Sequence, residues 1–90
     1  MKTLQVAHKF KKDLQLMEKH GKQLSKITAV LDLLVHGKKL PPTLRDHSLK
    51  GNWVGRRECH IENDWLLIYK IDENTITFER TGSHSDLFHC

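Results

Sequence analysis

The run Trp65-Leu66-Leu67-Ile68-Tyr69-Lys70-Ile71 decides the fold. Strand side chains alternate between the two faces of a sheet. Here both alternating sets, Trp65, Leu67, Tyr69, Ile71 and Leu66, Ile68, are apolar. Such a strand belongs in the centre of a sheet with both faces covered. Glu62-Asn63 and Asp72-Glu73-Asn74 bound it with turn chemistry, so the strand-like runs Arg56 to Ile61 and Thr75 to Thr81 form antiparallel hairpins with it. Each neighbour has one polar face. Arg56, Glu58 and His60 alternate with Arg57, Cys59 and Ile61, while Ile76, Phe78 and Arg80 alternate with Thr77, Glu79 and Thr81. That alternation predicts that His60 and Arg80 project into an open concave face.

Upstream, Leu4 and Val6 alternate with Gln5, which predicts a first strand. Phe10, Leu14 and Met17 recur at helical spacing from about His8 to His20, among lysines that read as a solvated face, and Gly21 stops the helix. A second helix, from about Gln23 to His36, carries the stripe Leu24, Ile27, Leu31, Leu34 and Val35. The short Gly21-Lys22 link predicts an antiparallel hairpin, and Gly37 with Pro41-Pro42 ends it. Thr43 to Val54 has no clean period and reads as a loop entering the sheet. Ser83 to Phe88 reads as a closing turn or short helix, capped by Ser83 or Ser85. The fold class is α+β: an N-terminal strand and a two-helix hairpin on an antiparallel sheet, in one domain spanning residues 1–90.

Composition bounds the function. With 38% hydrophobic and 29% charged residues the chain has the profile of a folded domain. No run approaches the roughly 18 to 20 apolar residues of a membrane span, and no signal peptide is visible, so a cytoplasmic protein is expected. Cys59 and Cys90 form no framework and read as structural thiols. A net charge of +4 favours polyanionic partners without naming one.

The chemistry gathers between Arg45 and Trp65, where His47, His60 and Asp64 sit among Lys50, Arg56 and Arg57, with His84 able to return beside them. Cleaving RNA without a metal needs a base for the 2'-hydroxyl, an acid for the leaving 5'-oxygen, and cations for the phosphorane. Histidine, with an unperturbed pKa of about 6.5, serves either proton role. His47, His60 and His84 supply them, and Arg80 with Lys50, Arg56 or Arg57 supplies the cations. Asp64, across a tight turn from His60, can orient an imidazole or take a proton itself. Trp65 and Phe88 offer surfaces on which a base can stack. Each has a plainer reading: Trp65 as core, Phe88 as a seal on the core's edge, Arg80 as an ion pair with Glu58 or Glu79, Asp64 as a turn residue. Three histidines and a carboxylate also suit zinc. No compact spacing such as H-E-x-x-H is present, so no metal or other cofactor is assigned.

One ordered set of motifs runs through the chain: Lys-Asp-Leu in the first helix, Asp46-His47-Ser48-Leu49-Lys50-Gly51, Arg57-Glu58-Cys59-His60, Asp64-Trp65-Leu66-Leu67-Ile68-Tyr69 and Arg80-Thr81-Gly82-Ser83-His84-Ser85-Asp86-Leu87-Phe88. In this set the chain resembles the YafQ toxins of the RelE/ParE superfamily over nearly its whole length. The resemblance implies a RelE-like microbial RNase fold and a bacterial type II toxin. Such a toxin is an endoribonuclease that enters the A site of the 70S ribosome and cuts mRNA under translation, by metal-independent acid-base catalysis. It implies a DinJ-like antitoxin as partner, the toxin being a monomer alone and a hetero-oligomer with antitoxin. It assigns activity to His47, His60, Asp64 and His84, with Trp65 and Phe88 assisting. His84 is then the general acid, His47 or Asp64 the base, and His60 can orient either. His89 and Cys90 extend past the usual ending and receive no role. Lys9, Lys11, Lys12, Lys19 and Lys22 become docking residues for ribosomal RNA. The competing expectations are a ParE-like gyrase poison on the same scaffold and a non-catalytic nucleic-acid-binding module.

Overall fold

The computed structural model describes residues 2–88; His89 and Cys90 lie outside them. In chain order the elements are β1 (Thr3–Val6), α1 (His8–Lys19), α2 (Leu24–Val35), β2 (His47–Ser48), β3 (Arg57–Glu62), β4 (Trp65–Ile71), β5 (Thr75–Gly82) and α3 (His84–Phe88). The five strands form one sheet in the order β1-β5-β4-β3-β2, which puts β4 in the middle as its double apolar pattern requires. Residues 65–69 are all fully buried.

Two features correct the expected sheet. It is mixed, because β1 lies parallel to β5, with Thr3 opposite Thr75 and Val6 opposite Phe78. It also gains the two-residue edge strand β2 from the segment read as loop, with His47 opposite Glu58 and Ser48 opposite Arg57. Alternation in a sequence marks a strand but says nothing of its partner or direction. A two-residue strand is too short to alternate at all.

Both helices cover one face. Phe10 and Met17 from α1 and Ile27, Val30 and Leu34 from α2 join Cys59, Trp65, Leu67, Tyr69, Ile76 and Phe78 in the main core. Phe10 meets Phe78 edge-on at 5.3 Å. Each helix ends as its glycine dictates. Gly21 and Gly37 adopt φ of 80° and 70°. The next amides then reach back, from Lys22 to the Met17 carbonyl and from Lys38 to that of Leu33. Cys59 is sealed in this core, where burial pushes its thiol up to about 12.

The opposite face is covered more thinly. Leu66, Ile68 and Leu87 form a second cluster there, flanked by Leu49, Trp53 and Phe88. A bulge in β5 shapes this face: Ile68 pairs with Arg80 but Tyr69 with Phe78, leaving Glu79 as the extra residue. Arg80 is therefore on the thin face, with Ile68, the open face expected for it, while Ile76 and Phe78 of the same alternating set lie on the helix-covered side. Among the described residues no helix is long and apolar enough to cross a membrane.

Helix α3 has only five residues and is held by its start. The Asp86 amide donates to Ser83 Oγ and the Ser83 amide to Asp86 Oδ2, each at 3.1 Å, a reciprocal capping box. Of the two serines considered as cap, Ser83 fills the role. Ser83→Ala should lower stability by about 1 kcal/mol. That corresponds to a fall in thermal midpoint of roughly 4–8 °C for a domain of this size; an unchanged melting curve would exclude the cap as a determinant of α3.

Candidate active site

Three histidines from separate elements meet on the thin face. β2 carries His47, β3 carries His60 and α3 carries His84. Ring centroids are 6.4 Å apart from His47 to His60 and 5.8 Å from His60 to His84. The row continues through Phe88, 6.3 Å from His84, to Trp53, which meets Phe88 edge-on at 6.2 Å.

Glu58 is the residue that sequence reasoning missed. It is 5% exposed, and its Oε1 lies 3.5 Å from His47 Nε2 and 3.4 Å from His60 Nε2. A nearly buried carboxylate needs partners of opposite charge or hydrogen-bond donors. Here His60 can offer an N–H from Nε2, and His47 can do so once its own Nε2 has taken a proton. Its alternation with Cys59 was the available signal, since it placed Glu58 on the face of His60; the sequence gives no hint that His47 arrives from the other side.

Asp64 serves His84, not His60. Its Oδ1 accepts from the His84 backbone amide at 3.0 Å and faces His84 Nδ1 at 2.8 Å. Those two contacts, the backbone one first, hold the Asp64 carboxyl below the usual carboxylate range. A carboxylate so held is a poor proton acceptor and a good orienting group. The Nδ1 of His47 likewise faces the Arg45 carbonyl at 2.7 Å. A nitrogen facing a carbonyl must carry the hydrogen, so in His47 the Nε2 atom is left to exchange protons. By the same logic Nε2 is the exchanging atom in His84.

Trp65 does not offer a stacking surface. It is fully buried on the helix side, donating from Nε1 to Thr81 Oγ1 at 2.8 Å, while that hydroxyl donates to the Leu66 carbonyl. An indole at the start of a doubly buried strand faces the core by parity. Trp53 stands in the aromatic row instead. It lines, with Lys9, Asn52, Arg56, Arg80, Leu87 and Phe88, an open cleft of about 570 Å³, within the size range of small-molecule sites. Phe88 belongs to both the cleft and the histidine row.

The expected phosphate-binding cations are mostly paired. Arg80 gives Nε to Asp13 Oδ2 at 2.7 Å and Nη2 to Oδ1 at 3.1 Å, so its partner is on α1 and is neither Glu58 nor Glu79. That contact raises the Arg80 guanidinium above its ordinary value. Arg56 Nε donates to Glu79 at 3.1 Å. Both still line the cleft. Lys50 is exposed on the loop leading to Trp53 and is not among the lining residues. Arg57 lies on the helix side with Asp46 and Tyr69.

Glu58, His60 and His84 also bring ligand atoms within 4.8 Å of one another. Around tetrahedral zinc, donors stand roughly 3.4 Å apart, given bonds of about 2.1 Å. The three side chains fit a borderline cation in kind, and would have to close slightly to hold one.

The lowered Asp64 carboxyl has a consequence for pH. A carboxyl with its folded pKa below its unfolded one stabilises the fold above the unfolded value, and that contribution disappears as pH falls through the folded value. Asp64→Asn should therefore melt below the parent at neutral pH, and the gap should close as acid is added through and below the ordinary carboxylate range. A gap independent of pH would exclude the His84 contact as its source.

The family model for YafQ, the bacterial toxin of type II toxin-antitoxin systems, matches residues 2–89. The mRNA interferase toxin YafQ of Escherichia coli K12 is 38% identical over 88 residues, which is 97% of this chain and 96% of that protein. The crystal structure of the E. coli DinJ-YafQ complex superposes with a TM-score of 0.91 at 37% identity, covering 98% of this chain and 99% of that one. A metal-bound toxin from Helicobacter pylori superposes with a TM-score of 0.91 at 42% identity, covering 98% and 100%. This chain belongs to the YafQ family of type II toxin-antitoxin toxins.

Proposed function

We propose that this chain, acting as one domain, is an endoribonuclease that cuts translated mRNA in the ribosomal A site. The observation that carries the reading is the histidine row with its two carboxylates: His47 and His60 about Glu58, and His84 on Asp64. His47 takes the 2'-hydroxyl proton at Nε2. The 2'-oxygen then attacks the phosphorus, and His84 delivers a proton from Nε2 to the departing 5'-oxygen, leaving a 2',3'-cyclic phosphate. His60 lies between them, suited to the charge on the phosphorane, with Glu58 keeping both imidazoles in place. Phe88 and Trp53 supply aromatic faces for a neighbouring base. In the cleft Lys9 brings positive charge toward the phosphate backbone, beside Arg56 and Arg80 on their carboxylates.

The E. coli relative is named an mRNA interferase and is solved with DinJ. We extend both to this chain: mRNA as substrate and a DinJ-like antitoxin as partner, in a hetero-oligomer. Work on ribosomes makes the cytoplasm its place of action. The lysines of α1 give sequence-independent affinity for ribosomal RNA, which weakens as salt is added.

The test is primer extension on mRNA from cells expressing the toxin, together with cleavage in a purified translation system. His84→Ala should slow the cut by about 10²- to 10⁴-fold, the usual contribution of a general acid, while antitoxin binding is kept. Growth arrest without mRNA cuts, accompanied by DNA damage, would replace this reading with a gyrase poison. Because Glu58, His60 and His84 can converge on one cation, zinc or copper should inhibit by occupying the imidazoles. A transition-metal chelator that spares magnesium should leave cleavage intact; a cut abolished by that chelator and restored by zinc would make the metal the catalyst.

A further inference from the structure

The strand that delivers His47 is two residues long, lies at the edge of the sheet, and is exposed along its length. Two backbone pairings cannot by themselves hold an imidazole to the tolerance that proton transfer needs. What else holds it lies on the opposite face. Side chains alternate across β2, so while His47 meets Glu58 and His60 on the thin face, its neighbours Asp46 and Ser48 turn toward the helix side.

There a single guanidinium takes both. Arg57 donates through Nη2 to Asp46 Oδ2 at 2.8 Å and through Nε to the same carboxylate, and through Nη1 to Ser48 Oγ at 3.0 Å. Asp46 also accepts from the hydroxyl of Tyr69, a fully buried residue of the central strand. Just ahead, Arg45 holds φ of 51°, a left-handed conformation that a residue other than glycine keeps only when its surroundings impose it. The carbonyl of that same Arg45 accepts from His47 Nδ1 at 2.7 Å. Burial pushes the Tyr69 phenol up, with Asp46 adding to the shift, so the hydroxyl stays a donor.

We propose that Asp46, Arg57 and Tyr69 form a positioning clamp that ties the His47 strand to the core and so sets both the place and the tautomer of the His47 imidazole. The clamp touches neither substrate nor reacting atoms. It acts through His47, and therefore rests on the catalytic reading above.

Cleavage of ribosome-bound mRNA, with kcat and KM measured separately, tests it. Asp46→Asn should lower kcat by about 10- to 100-fold with KM unchanged, the scale of a small misplacement of a catalytic group. Tyr69→Phe and Ser48→Ala, which leave the Asp46–Arg57 charge pair in place, should each give a smaller loss of kcat and carry the measurement if Asp46→Asn does not fold. Arg57→Lys should not rescue, since one ammonium cannot span Asp46 and Ser48 as the fork does. Ring ¹⁵N spectra, assigned with His47→Ala, should show a hydrogen fixed on Nδ1 of His47 in the parent and tautomer averaging in the clamp variants. Wild-type kcat in folded Asp46→Asn and Tyr69→Phe, where His47→Ala is inactive, would overturn the clamp and leave the catalytic reading standing. A rise in KM alone, or an unaltered His47 ring signal, would overturn it as well. Full activity in His47→Ala would overturn the catalytic reading and the clamp together.

Discussion

A strand that is apolar on both faces cannot be left against water on either. Residues 65–69 of β4 are buried completely, and removing each large apolar side chain from water contributes about 1.5–3 kcal/mol. The two faces are satisfied differently. Two amphipathic helices close one with a thick core, whereas the other is closed by α3, of five residues, and by Leu49 and Trp53. The thin cover reaches only over Leu66 and Ile68 on β4. Beside it, on β3, the face turns to Glu58 and His60. The catalytic candidates stand where burial gives out.

Carboxylates organise that border. Glu58 sits between His47 and His60, Asp64 holds His84 and Asp13 holds Arg80, while on the helix side Asp46 holds Arg57. Apart from Glu58–His60, which lies within β3, each joins two different segments of the chain, which fixes a side chain in a way a local contact cannot. These pairs are not interchangeable in weight. The Asp64–His84 contact is largely exposed and screened by solvent, while Glu58 is nearly buried and its environment is correspondingly demanding.

Much of the architecture was legible because it follows from period and punctuation. The double apolar set of β4 put it in the centre, the turn residues at 62–63 and 72–74 made the meander, and Gly21 and Gly37 ended the helices where a left-handed residue was needed. The motifs that resemble the YafQ toxins named the histidines and their acid, and folding gathers His47, His60 and His84 into one row. The roles of other residues were not legible. Trp65 and Trp53 look alike as letters, and parity on a buried strand sent the first into the core while the loop left the second beside Phe88.

The sequence alone determined the longer strands and helices, which strand is central, and which residue types can move protons, since these depend on neighbours a few positions away, whereas the two-residue β2 was not legible. Only the tertiary structure decided that β1 runs parallel to β5, that a bulge at Glu79 turns Arg80 across the sheet, that Asp64 belongs to His84, and that Glu58 lies between two imidazoles. Those outcomes are pairings between distant residues. They are settled by the joint burial of both faces of one strand and by the need of each buried charge for a partner, and no local pattern in the chain encodes which partner arrives.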